Sequence, residues 1–248
     1  MYEVIYLIIA ALGALLALVD FIIQFSLYSF ILFCITFISL ILLLFYIPSG
    51  EASRKTIHLL CCFTACLLYY SFGLKAALLT ISALVFMGAY LINKVEHIKD
   101  GTLRYLALKF SRRGEKLGLC ALNLATGVLL TFIAESLVSI EYSALSIVVA
   151  GVGDIAASLA GKYFGRHKVR EKTIEGALAA FISALLVAFP VQGYRSLLLA
   201  FAVSLAELFS PLDDNIILPP LAYVVLVFLK NYEPLLSSII STGTAVKA

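Results

Sequence analysis

Residues 151–176 read GVGDIAASLAGKYFGRHKVREKTIEG. A carboxylate, Asp154, stands among glycines, alanines and aliphatic residues, and five cations follow within eleven positions: Lys162, Arg166, Lys168, Arg170 and Lys172. Burying a carboxylate in an apolar run costs a few kcal/mol or more, unless it is paired, metal-bound or hydrated. Asp154 is therefore half of a structural ion pair, or a metal-binding or base carboxylate in a wet cleft. Gly151, Gly153, Ala156, Ala157 and Gly161 make its helix thin, so a neighbouring helix or a ligand can come close. Lys172-Thr173 then precede a new apolar helix. Thr173 can cap it while the free N–H groups and the dipole face an anion, and a helix start beside lysine is a ready phosphate site. Glu175 in the first turn can complement the dipole or hold a cation, and Gly176 leaves room at that end.

Three further groups have the same character. Glu207 closes an apolar segment, and Asp213-Asp214-Asn215 follow in the next turn. Such a turn is commonplace as a solvated connector, yet adjacent carboxylates facing a basic loop also suit Mg²⁺, which prefers oxygen ligands and is often shared with nucleotide phosphates. Arg54, Lys55 and His58 stand at the start of another apolar segment, with His58 one turn beyond Arg54. Snorkelling at an interface accounts for the two cations but less easily for the histidine. Asn123 and Thr126 are weaker candidates for lining a pocket. His97 and His167 lie in polar loops and receive no role. Lys172-Thr173 is not part of a Walker A loop, since Glu171 stands where its second glycine belongs, and no protein-kinase signature occurs.

The elements that must position these residues are set by composition. Of 248 residues, 62% are hydrophobic and 13% charged, about half the charge of a soluble domain. The apolar runs have helix length rather than barrel-strand alternation, and a spanning backbone must satisfy its own hydrogen bonds. The expected fold is all-α: a polytopic helical membrane bundle of about nine transmembrane helices, with seven to nine allowed. The spans are predicted at about 2–19, 25–47, 57–72, 76–92, 117–134, 142–160, 174–189, 196–209 and 216–229, with a polar loop over 93–116. One transmembrane domain covers 1–248: an N-terminal helix pair over 1–47 and a core over 50–230. No cleavable signal is expected. Five cysteines lie in or beside apolar segments without zinc spacing and read as small membrane-helix residues. The net charge of +3 is too small to argue for nucleic acid.

The loops after spans two, four and six carry two, seven and five Lys or Arg, 14 of the 18 in the chain. The positive-inside rule puts these loops and the N-terminus in the cytoplasm. Arg54-Lys55-His58, the basic segment 162–172 and Asp213-Asp214-Asn215 then all fall on that one face, with Asp154 and Glu207 within about two turns of it. Carboxylates for a divalent ion and cations for phosphate, gathered at membrane depth, describe phosphoryl transfer to or from a lipid.

The order Arg54-Lys55-x-x-His58, Gly153-Asp154-x-x-Ala157, Gly161, Phe164-Gly165, Lys172-Thr173-x-Glu175-Gly176, Glu207 and Asp214-Asn215 with Pro219 resembles the polyprenol kinase family over about residues 50–230. That family includes dolichol kinase, phytol kinase and the CTP-dependent diacylglycerol kinase of fungi. The resemblance implies a membrane kinase that moves the γ-phosphate of CTP onto the hydroxyl of an isoprenoid or similar lipid alcohol. It implies that Asp154 and the Asp213/Asp214/Asn215 cluster, with Glu207, hold Mg²⁺ or activate the alcohol. Lys172, Thr173, Glu175 and Gly176 would form the nucleotide-phosphate site with Lys162 and Arg166, and Arg54, Lys55 and His58 would complete the pocket. Asp154, Lys172, Glu175 and Asp214 are the expected catalytic group, with Asp154 taking the alcohol proton. The membrane would be the plasma membrane of a prokaryote or the endoplasmic reticulum of a eukaryote. Two other readings are open: a lipid cytidylyltransferase, which attacks the α-phosphate of CTP, and an ion-coupled transporter using Asp154 and Glu207.

Overall fold

The computed structural model describes residues 50–95, 101–111, 116 and 118–232, with isolated positions before residue 50, Tyr6 and Ile9 among them. Its first long element, α1 (Glu51–Val95), has 45 residues and would extend about 68 Å if straight. It is not straight. Gly73 sits at φ +81° and ψ 169°, a left-handed backbone that glycine adopts without a Cβ penalty. Before it, Tyr69 reaches Glu135 at the end of α3 (Leu119–Val138). Beyond it, Gly88 lies against Leu122 at the start of α3. The second arm of α1 therefore returns alongside the first. Predicted spans three and four are these two arms of a single folded-back element.

A short helix, α2 (Thr102–Phe110), occupies part of the polar loop expected over 93–116. After α3 the chain runs through α4 (Ser143–Phe164), β1 (Lys168–Val169), β2 (Lys172–Thr173), α5 (Ile174–Gln192), a 3-10 turn (Gly193–Arg195), α6 (Ser196–Phe209) and α7 (Asp214–Asn231). The bundle is otherwise helical, as expected, and the two strands are only two residues each. They pair antiparallel, Lys168 with Thr173 and Val169 with Lys172, around a two-residue turn in which Arg170 takes φ +57°. Tight hairpins need positive φ at such a position, and β-branched Val169 and Thr173 fit the extended flanks.

Five helical units are long and apolar enough to cross a bilayer: 53–92, α3, α4, 174–209 and α7. The bend at Gly73 and the turn at Gly193–Arg195 divide them into seven arms, the counterparts of predicted spans three to nine. Nine spans are not reached among the described residues, because the helix pair expected over 1–47 lies almost wholly outside them. An apolar outer surface fits a lipid setting. On α5, Leu178, Ile182, Leu186 and Phe189 are exposed, while Ala177, Ala180, Ala184 and Ala188 form the buried stripe. Small residues at helical spacing let backbones approach closely, which is how helices associate where no water drives them together.

Two apolar cores hold the arms. One joins both arms of α1 to α3, and the other joins α4, α5, α6 and α7. At one end of the bundle Glu135, 2% exposed, caps the start of α4. It accepts the Tyr142 and Ser143 N–H groups at 3.0 and 2.8 Å and the Tyr69 hydroxyl at 2.6 Å. The start of α7 is held differently. Pro219 has no N–H to offer the Asn215 carbonyl four residues back, and Gly127 of α3 packs directly on that carbonyl; a Cβ there would overlap it. Gly127→Val is therefore expected to push α7 off α3 and cost about 1–3 kcal/mol of stability. Thermal unfolding in detergent measures this, and a variant as stable as the parent would show that the two backbones are not in contact.

Candidate functional site

The starts of α1, α3, α5 and α7 and the ends of α4 and α6 meet at the opposite end of the bundle from Glu135. Arg54, Lys55 and His58 are all buried in the first turns of α1. The Lys55 ammonium donates to both oxygens of Asp154, at 2.8 and 2.6 Å, and both side chains are 4% exposed. His58 Nε2 stands 3.9 Å from Asp154 Oδ2. Ninety-nine residues apart in sequence, Lys55 and Asp154 form the buried pair that lets α4 carry a charge at membrane depth. A carboxylate gripped at both oxygens is ill disposed to take a proton.

Lys172, on β2, reaches across to the end of α6 and the start of α7. It donates to Glu207 Oε1 at 2.6 Å and to Asp214 Oδ2. Burial works against its charge, but the two carboxylates more than offset this and hold its pKa above the ordinary lysine value. The ammonium thus stays charged throughout the physiological range. Glu207 is buried, and its Oε2 has no hydrogen-bond partner among the described residues; neither has Asn215 Oδ1.

Asp154, Glu207 and Asp214 each offer an oxygen within 4.8 Å of the others. This all-oxygen set, with an orphaned buried acceptor, fits a hard divalent cation such as Mg²⁺. Asp213 does not join it. Its side chain accepts the Asn215 N–H at 3.0 Å and caps α7, while Asn215 Nδ2 donates to Cys120 Sγ at 3.5 Å.

Beside the cluster opens a cavity of about 470 Å³, walled by Arg54, Lys162, Lys168 and Lys172 with Glu171 and Glu207. Cations outnumber carboxylates in that wall, so it attracts a polyanion. Thr173 and Gly176 also line it. Thr173 Oγ1 accepts the Gly176 N–H at 3.1 Å, the cap expected at the start of α5. Gly176 abuts the Ala157 carbonyl, where a Cβ would sit 2.8 Å from the oxygen.

Four candidates lie apart from this centre. Arg166 is exposed and outside the cavity wall. Glu175 turns away from the three carboxylates to bond His167, Nδ1 to Oε1 at 2.6 Å. Asn123 Oδ1 accepts the Tyr6 hydroxyl at 2.6 Å, and Thr126 Oγ1 donates to the Leu122 carbonyl of its own helix; neither lines the cavity. Sequence reasoning gave no role to His167, which bonds Glu175, or to Glu135 at the far end of the bundle, although Glu135 was discoverable as an acid inside an apolar run.

Fold and site together define an integral membrane helical bundle with a mixed acidic and basic centre at one end. No family model and no solved structure matches the chain. An uncharacterized protein of Methanocaldococcus jannaschii is 29% identical over 205 residues, covering 74% of this chain and 94% of that protein. Dolichol kinase of Schizosaccharomyces pombe is 34% identical over 86 residues, 30% of this chain. The match spans only 17% of that kinase's length.

Proposed function

We propose that the protein is a membrane phosphotransferase that moves the γ-phosphate of CTP to the hydroxyl of a polyprenol-type lipid alcohol, at the cytoplasmic face of its membrane. The observation that carries this reading is the cation-walled cavity abutting three clustered carboxylates at one end of an apolar bundle. Partial similarity to a dolichol kinase supports the lipid acceptor. The excess of Lys and Arg in the even loops supports the cytoplasmic side.

In this reading the phosphates lie against Lys162, Lys168, Lys172 and Arg54, beside the capped start of α5. Phosphoryl transfer needs mainly alignment and charge neutralisation, which these cations supply. The alcohol oxygen bonds to the γ-phosphorus, the bond to the β-phosphate oxygen breaks, and CDP leaves. The alcohol proton passes to the Glu207 and Asp214 carboxylate pair beside the cavity. Lys55 keeps Asp154 charged and in place. Mg²⁺, held by Asp154, Glu207 and Asp214, would neutralise charge on the phosphates when bound.

The test is purified protein in lipid nanodiscs with γ-labelled CTP or ATP and a panel of phytol, geranylgeraniol, dolichol and diacylglycerol. Labelled lipid with release of CDP is the expected result. Pyrophosphate in place of CDP would make the protein a cytidylyltransferase instead, and no label on any alcohol would end the kinase reading.

A further inference from the structure

The basic hairpin carries Lys168, Glu171 and Lys172 into the cavity wall, yet it is only two residues long on each side. A two-stranded hairpin is marginally stable by itself, so something must hold its pose. Its root is tied at His167. The His167 N–H points between both Glu175 oxygens, at 3.2 and 3.3 Å, and Nδ1 lies 2.6 Å from Oε1. An ionised carboxylate only accepts, so Nδ1 carries the hydrogen. The His167 carbonyl in turn accepts the Ile174 N–H at 3.0 Å. One residue is thus pinned through its amide, its carbonyl and its ring to the first turn of α5. The imidazole is 73% exposed and the Glu175 side chain 25% exposed, so this clamp belongs to the surface, and the bundle packs without it.

We propose that His167 is a positioning residue: clamped by Glu175, it sets the pose of the hairpin lysines over the cavity and thereby the affinity for the nucleotide's polyphosphate. The inference rests on the cavity being the nucleotide site. His167 itself does not line that cavity and touches no reacting atom.

The experiment measures binding of CTP and of inorganic tripolyphosphate to the full-length protein by calorimetry, and KM and kcat for transfer to the lipid alcohol. His167→Ala is expected to weaken both ligands about tenfold and to raise KM for CTP, with kcat and Tm unchanged. His167→Asn, whose amide N–H can replace Nδ1–H, is expected to restore most of the affinity. Glu175→Ala, which removes the contact to the His167 N–H as well as the one to the ring, is expected to raise KM at least as much as His167→Ala, and the double variant to be no worse than Glu175→Ala alone. Parental affinity in His167→Ala, or additive losses in the double variant, would overturn the clamp while leaving the nucleotide site standing. If the parent protein binds neither ligand, the nucleotide reading falls and this inference with it.

Discussion

Replacing Lys172 with Met will lower phosphoryl transfer by about 10²–10³, the usual cost of losing one preorganised charge at a transferring group. Lys172 bonds two of the clustered carboxylates, Glu207 and Asp214. It lies on a surface hairpin with its side chain 36% exposed, so the variant is expected to fold, with a Tm lowered by the loss of an ammonium from Glu207, whose side chain is 3% exposed. A second effect has the opposite sign. The ammonium competes with any metal ion for Glu207 and Asp214, so its removal is expected to tighten divalent-ion binding, read by Mn²⁺ titration with electron paramagnetic resonance. Turnover within threefold of the parent would remove Lys172 from the reaction. Unchanged Mn²⁺ affinity would remove the three carboxylates from consideration as its site.

The second large effect is on stability. Lys55→Met leaves Asp154 charged, buried and without its ammonium, and breaking a buried pair from one side costs about 3–5 kcal/mol. Asp154→Leu alone is expected to cost a similar amount by stranding Lys55. The double variant Lys55→Met/Asp154→Leu is expected to recover much of the loss, because two apolar side chains of similar volume need no solvation. Reversible unfolding in mixed micelles gives the three values. If the single variants match the parent, the pair is hydrated rather than buried and the account of how α4 carries its carboxylate is wrong. Activity separates two roles in the same proteins: a stable but inactive double variant would show that the pair serves the reaction as well as the fold.

How much of this was legible beforehand depends on the range of each interaction. The Thr173 cap, the thin Ala and Gly face of α4 and the gathering of Arg54, Asp154, Lys172, Glu207 and Asp214 at one end of the bundle could all be read, since capping, periodicity and span counting are local. The hairpin at 168–173 was missed because two-residue strands leave no periodic signal. Asp213 and Asp214 are neighbours of equal chemistry, yet one caps α7 and the other bonds Lys172; no propensity distinguishes them. Glu175 stands two residues after Thr173 and was grouped with it, but its side chain bonds the exposed His167.

By itself, then, the sequence determined a membrane-spanning helical chain, the depth of each polar residue along its helix and the end of the bundle to which it belongs. Hydrophobic length and helical rise are properties of one segment at a time. Only the tertiary structure decided that Lys55 holds Asp154, that Lys172 bridges Glu207 and Asp214, and that Gly127 seats the start of α7. Those choices depend on how helices rotate and approach one another, and that is set by small-residue contacts between segments far apart in the chain.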